Sequence, residues 1–317
     1  MDYIALSDNA ARQIIDSTTV FDECARVQAR ARQFEGGMYW KQQGNYEYLV
    51  KTQSHGRQHR LGPRSTATER IYQEFTANKR EVESRYRSLR DELKSAERLN
   101  KALKAGRVPA MVVSVLQTIE DAGLGQHFTV VGTHALYAYE TAAGVRIVQG
   151  ALATQDIDLL WDARRRVRFI TDIQRLDSSV LRVLQRSDAT FQRKPGQNET
   201  AINAKGFEVD FLRRQPVGDD PHPFRFSDDE DDLWPVQALR ASVLTSAARF
   251  EHIVVSATGR MALMRTIAPA TFVEFKHWMA AEAPNRPEPK RRRDRRQADI
   301  VQSMLDNGLL LPSAGTR

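Results

Sequence analysis

The sequence predicts a mixed α/β fold, α+β in detail. A mixed sheet with flanking helices is preceded by a small β-meander and a long helix and followed by a helical cap. Three observations lead there. Short apolar stretches of alternating strand and helix period fill residues 110–213. A charged segment from Thr66 to Ala105 holds neither glycine nor proline and reads as helix. Between Met38 and Gly62, aromatic and β-branched residues alternate with polar ones.

At 317 residues, 41% hydrophobic and 27% charged, the chain is long enough for two packed domains and too apolar to be disordered. Its net charge of +7 favours a partner carrying phosphates or other acidic groups. The single cysteine, Cys24, forms no internal disulfide, and neither a membrane span nor a signal peptide is evident. A cytoplasmic location is the expectation.

From Ser7 to Phe34, apolar residues Ile14, Ile15, Val20, Phe21 and Val27 recur at helical spacing before Gly36-Gly37, which predicts one or two helices. The following meander, turning at Gly44-Asn45 and again before Gly56-Arg57, sets Lys41, Lys51, Arg57, His59 and Arg60 among Tyr39, Trp40, Tyr46 and Tyr48. That mixture suits stacking on bases and neutralising phosphates, and equally an aromatic mini-sheet packed on its neighbours. In the long helix Phe75, Val82, Leu89, Ala96 and Leu103 repeat every seven residues, with Tyr72, Lys79, Tyr86, Leu93 and Asn100 three positions earlier. This seam, residues 72–103, has two polar interruptions; it either joins two copies as a homodimer or folds back within its own domain. Gly106 and Pro109 close a first region, 1–108.

Beyond Pro109 the pattern predicts a helix (Ala110–Ala122), a strand (His127–Val131) opening through Gly132-Thr133 into a helix, and a strand Thr154–Asp162. A helix follows around Ile170–Gln185, then strands near Thr190–Lys194, Glu199–Ala204 and Phe207–Arg213. Gln215–Trp234, rich in proline and acid, reads as a solvated loop. The last region, 236–317, reads as a helix over Val236–Ala248, a strand over Phe250–Ser256, a turn at Gly259 and a helix opened by Pro269. A basic run, Asn285–Arg296, leads into a final helix.

The chemistry concentrates in 109–235. Asp156 and Asp158 are two apart on a strand and share a face. Carboxylates that close bind a cation, share a proton or face water. The Gly132-Thr133 turn offers close backbone approach, a hydroxyl and free helix N-terminal amides, which suit a phosphate. Another apolar strand, GFEVDFLRR, carries Asp210, with Glu208 on the same face. Three carboxylates beside a phosphate cradle are the parts of two-metal phosphoryl or nucleotidyl transfer. His134, in the first helical turn, and Cys24, without a nearby histidine or a basic helix start, read as structural, and no histidine has zinc-ligand spacing with cysteine.

A strand, Gly-Thr, a helix, Asp-Ile-Asp and a distant strand aspartate together resemble the DNA polymerase β-like nucleotidyltransferase superfamily. More narrowly, VVGTHALYAYE, ATQDIDLLWD, FVEFKHW and KRRRDRRQA resemble a bacterial group of nucleotidyltransferase-fold proteins with largely undefined substrates. The resemblance covers residues 109–308. It implies a catalytic domain over 109–235 and a mostly helical substrate-binding cap over 236–317. Gly132 and Thr133 would hold the triphosphate, Asp156 and Asp158 would ligate two Mg2+ ions (Mn2+ being an alternative), and Asp210 would be third ligand and base. Lys276, Lys290 and Arg293 would contact the triphosphate, with Asp294 orienting these cations. The implied reaction moves an NMP from an NTP to a hydroxyl and releases pyrophosphate; RNA, tRNA included, is the favoured acceptor, ahead of protein or a small molecule. The rival reading is a non-catalytic nucleic-acid- or protein-binding module on the same scaffold. Most relatives have Gly-Gly or Gly-Ser where this chain has Gly-Thr. The 24 residues from Gly132 to Asp156 exceed the usual interval and predict an extra turn or strand.

Overall fold

The computed structural model describes residues 2–52, 57–152 and 154–311. The chain divides into two units, one of Arg12–Leu103 and one of Met1–Ala11 with Lys104–Arg317. The segments 109–235 and 236–317 therefore lie within a single unit.

After β1 (Tyr3–Ala5) comes α1 (Asp8–Arg32), then β2 (Gly37–Gln43), β3 (Tyr46–Thr52), β4 (Gln58–Pro63) and α2 (Thr66–Ala102). The three strands β2-β3-β4 form an antiparallel meander. Gly44, at φ +62°, supplies the left-handed position of the two-residue β2–β3 turn. The second turn read from the sequence, with His55, lies outside the described residues. α2 starts at a capping box in which Ser65 and Thr68 bond each other's backbone amides.

The heptad seam is occupied by α1. Val82 and Leu89 are buried with Cys24 and Val27, and the Phe34 and Phe75 rings meet at 5.6 Å. The two polar interruptions are satisfied in the same way. Lys79 donates to the Gly36 carbonyl, and buried Gln13 donates to Asn100 Oδ1 at 3.0 Å and to the Ala96 carbonyl at 3.3 Å. The seam thus closes an intramolecular helical hairpin, and nothing in it supports a homodimer.

The larger unit continues through α3 (Ala110–Asp121), β5 (Phe128–Val131), α4 (Ala135–Ala142), β6 (Val145–Ile147), β7 (Asp156–Trp161), α5 (Arg166–Leu176) and α6 (Val180–Gln185). β8 (Gln192–Lys194), β9 (Gln197–Ile202), β10 (Glu208–Arg213), β11 (Val236–Gln237) and α7 (Ala241–Ser246) follow. The unit ends with β12 (Arg249–Val255), β13 (Met261–Ile267), α8 (Pro269–Ala281) and α9 (Glu288–Asp306). The central mixed sheet runs β5-β7-β10-β9-β8, with β11 also on β10. β7 and β10 are parallel and the other neighbours along that path antiparallel. Ile157, Leu159, Val209 and Phe211 are wholly buried on one face of these strands. They share a core with Val112 and Val113 of α3, Leu136 and Tyr139 of α4 and Phe272 of α8. The β12–β13 hairpin is fastened to this layer: Thr266 donates to the Val130 carbonyl and the Tyr139 hydroxyl to that of Ile267, both at 2.7 Å.

The long interval before Asp156 holds β6, which pairs with β1, and a 3-10 turn at Gln149–Ala151. Three local readings change. The helix expected over Ile170–Gln185 breaks at Asp177, whose φ of +46° ends α5, and Ser179 then caps α6. Val236–Ala248 is a strand and a short helix parted at Arg240, φ +53°, because pairing with β10 overrides helical spacing. The run 215–234 is irregular, but Phe226, Asp232 and Leu233 are buried. Asp232 accepts from the Leu181 amide at 2.9 Å and the Ser227 hydroxyl at 2.7 Å, so this acid holds the start of α6 instead of facing water. Among the described residues no helix is long and apolar enough to cross a membrane.

Leu89 fills the intramolecular seam, so Leu89→Ala will destabilise the Arg12–Leu103 unit by about 3 kcal/mol. Faster amide hydrogen exchange in α1 and α2, with α3 and α4 unaffected, is the expected result.

Candidate active site

Strand register builds the site. β7 and β10 pair in parallel with Asp156 beside Glu208 and Asp158 beside Asp210. Neighbours in a parallel ladder point to the same side, so four carboxylates share the face opposite the apolar residues 157, 159, 209 and 211. Glu208 is engaged by Lys194 Nζ at 2.7 Å. Asp156, Asp158 and Asp210 each offer an oxygen, and these lie within 4.8 Å of one another.

Two threonines aim the triad. The Thr154 hydroxyl donates to Asp156 Oδ1. Thr200, directly across from Asp210 on β9, donates to Asp210 Oδ1 at 2.6 Å. Asp158 is set against the turn that leaves β5. Gly132 has φ +69°, and a Cβ there would collide with the Asp158 carboxylate. Glycine at this position is therefore required twice, for backbone conformation and for space.

Thr133 is buried, and its Oγ1 accepts from Gln297 Nε2 at 3.2 Å; the same amide donates to the Ala151 carbonyl at 2.7 Å. As an acceptor there, the Thr133 hydroxyl keeps its own proton to give. His134 is buried behind it, and desolvation lowers its pKa to about 4 against the opposing pull of Asp156, so the imidazole is neutral at pH 7.

Lys276 of α8 is 4% exposed and donates to Asp294 Oδ1 at 2.8 Å, while Arg286 Nε donates to Asp294 Oδ2 at 2.6 Å. Desolvation works to raise the fully buried Asp294 carboxyl, but Lys276 and Arg286 together hold it below its usual range. One carboxylate thus anchors two cations and leaves a net positive charge. Lys290 is exposed in the first turn of α9, and Arg293, half-buried, immediately precedes Asp294.

The triad is electrostatically loaded. Burial, then the charges of Asp156 and Asp210, push Asp158 up to about 7, and Lys276 and Arg286 act in the other direction. Burial likewise raises Asp210, against the Thr200 hydrogen bond. An all-oxygen set of converging carboxylates fits a hard divalent cation such as Mg2+.

The sequence reading did not pick out Arg286, Thr154, Thr200 or Gln297. Thr154 carries a readable signal, being two residues before Asp156. Thr200 and Gln297 depend on strand pairing and helix docking, which no local pattern announces.

A strand-turn-helix set against a carboxylate triad on neighbouring strands brings together a phosphate cradle and oxygen donors suited to a divalent metal. A nucleotidyltransferase family model matches residues 110–314. The chain belongs to that family, within the polymerase β-like superfamily. No match was found among curated proteins or among solved structures.

The Asp158 carboxyl titrates near 7 in the folded state and near its ordinary value of about 4 when unfolded. Between roughly pH 4 and 7 the folded chain holds a proton that the unfolded chain has released, so stability falls as pH rises through that window. Asp158→Asn will remove this loss. With divalent ions chelated, its Tm will exceed wild type by on the order of 5 °C at pH 8, and the two proteins will melt together near pH 4. Gly132→Ala will displace the Asp158 carboxylate and weaken Mn2+ binding, measured by calorimetry, at least ~10-fold, an effect of the size expected when a ligand loses its support.

Proposed function

We propose that the protein transfers a nucleoside monophosphate from an NTP to a hydroxyl group of RNA and releases pyrophosphate. The convergence of Asp156, Asp158 and Asp210 beside the Gly132 turn carries this reading. Asp156 and Asp158 would hold two Mg2+ ions between them, with Asp210 as the third ligand. When bound, such ions supply positive charge to the attacking and leaving oxygens.

The chain's own groups divide the remaining work. The Gly132-Thr133 turn orients the triphosphate through backbone amides and the Thr133 hydroxyl proton. Lys276 and Arg286, held by Asp294, together with Lys290 and Arg293, offset the charge that develops as pyrophosphate departs. Asp210 Oδ1 is taken by Thr200, so Oδ2 receives the acceptor's proton. As the acceptor oxygen bonds to the α-phosphorus, the α–β bridging bond breaks. The net charge of +7 and the basic, aromatic meander support RNA as the acceptor.

The test is Mg2+-dependent incorporation of each α-phosphate-labelled NTP into RNA, protein and small-molecule fractions. Label will enter the RNA fraction and fall at least ~100-fold, the scale of a lost electrostatic group in catalysis, in Asp156→Asn/Asp158→Asn. Label confined to protein or small molecules overturns the acceptor. Transfer that survives the double substitution overturns the site.

A further inference from the structure

The meander has two unlike faces, separated by strand alternation and register. Trp40 pairs with Leu49, which pairs in turn with Gly62, and Met38 pairs with Lys51, which pairs in turn with His59. This side packs on α2: Trp40 meets Tyr72 at 5.9 Å, and the Lys51 ammonium lies over the Phe75 ring. On the other side Tyr39 stands beside Val50, which stands in turn beside Arg60, with Lys41 beside Tyr48 and Tyr46 beside Gln43. Tyr46 is 66% exposed and Tyr39 37% exposed, and Lys41 and Arg60 are exposed as well. The Arg60 guanidinium is stacked on the Tyr48 ring, 3.2 Å from its centroid, and steadied by Gln43 at 2.7 Å. The one acidic residue of the three strands, Glu47, is on the α2 side, bonded to Arg64 at 2.6 Å. The outer face therefore presents three tyrosines and two cations with no carboxylate among them.

We infer that this face, Tyr39, Lys41, Tyr46, Tyr48 and Arg60, binds single-stranded RNA. Exposed rings accept unpaired bases by stacking, and an already stacked guanidinium offers a second flat surface. Lys41 and Arg60 are spaced among the rings to meet the phosphates between successive bases, while a duplex hides the base faces this surface uses. The tyrosine hydroxyls and the Gln43 and Gln58 amides supply polar groups for the 2′-hydroxyl, which favours RNA over DNA. The inference rests on RNA being the acceptor, and assigns its recognition to residues outside the catalytic unit.

The experiment measures binding of a fluorescein-labelled 12-nucleotide single-stranded RNA to the full chain by anisotropy at low and moderate salt. Wild type will bind, more weakly as salt rises, and will prefer this RNA to the same DNA strand, to the RNA duplex and to a polyglutamate peptide. Tyr39→Ala/Tyr46→Ala and Lys41→Glu/Arg60→Glu will each weaken binding on the order of tenfold or more. His59→Ala, on the opposite face, will bind as wild type. Circular dichroism and melting temperature confirm that each variant is folded. Unchanged affinity in both folded face variants overturns the inference, as does equal or tighter binding of DNA, duplex or peptide. If RNA binds through this face but receives no label, the acceptor reading fails and the surface stands. Should RNA receive label with affinity indifferent to the tyrosines, the surface fails and the reaction stands.

Discussion

Three carboxylates within 4.8 Å of one another repel, and the larger unit is organised around holding them there. The cost is visible at Asp158, whose carboxyl is pushed up to about 7, first by burial and then by the charges of Asp156 and Asp210. Directly behind the triad the same strands bury Ile157, Leu159, Val209 and Phe211 completely, each contributing roughly 2 kcal/mol. That apolar face fixes the β7–β10 register. A slip of one residue in either strand would turn that strand's two hydrophobic side chains outward and its two acids inward. Burial on one face thus outweighs repulsion on the other, and the hydroxyls of Thr154 and Thr200 settle which way two of the carboxylates point.

Charge is then graded around the triad. Glu208 would add a fourth negative charge on the same face, but Lys194 pairs with it and leaves three oxygen donors facing the turn. On the other side Asp294 gathers Lys276 and Arg286. A buried lysine without a partner would tend to lose its proton, and desolvation does pull Lys276 down. Asp294 keeps positive charge in the interior, where Lys276 and Arg286 act on Asp158 through a medium that screens them poorly. Lys290, exposed at the start of α9, acts on the site more weakly than the buried pair because solvent screens it.

Much of this was legible in the sequence where a local period or a short motif carries it. Asp156 and Asp158 share a face because strands alternate, and Gly132 marks a turn of close backbone approach, although its contact with the Asp158 carboxylate emerges only from the packing. The heptad seam was equally plain, but heptads state only that a face must be covered. That α1 covers it follows from Cys24 and Val27 meeting Val82 and Leu89, a choice between partners that spacing alone leaves open. Met261–Ile267 went unread because a short apolar run has no distinctive period, and becomes a strand only through its pairing with β12. Asp232, inside a run of acids, looked solvated because nothing in the run reveals that one member caps α6.

The threonine at the second position of the turn has a structural counterpart. Beside smaller glycine or serine it adds a methyl group and presents a hydroxyl in a buried place, where an unpaired polar atom is costly. Gln297 meets that hydroxyl, and on the same helix Asp294 holds Lys276 and Arg286. The two are three residues apart and so lie on one face of α9, the face that also buries Ala298 and Val301 in the core. One rigid helix therefore fixes both the turn that would cradle a triphosphate and the cations that would balance its charge. A shift of α9 moves both together, so the spacing between cradle and charge is set by helix geometry and not by the flexible basic side chains beyond it.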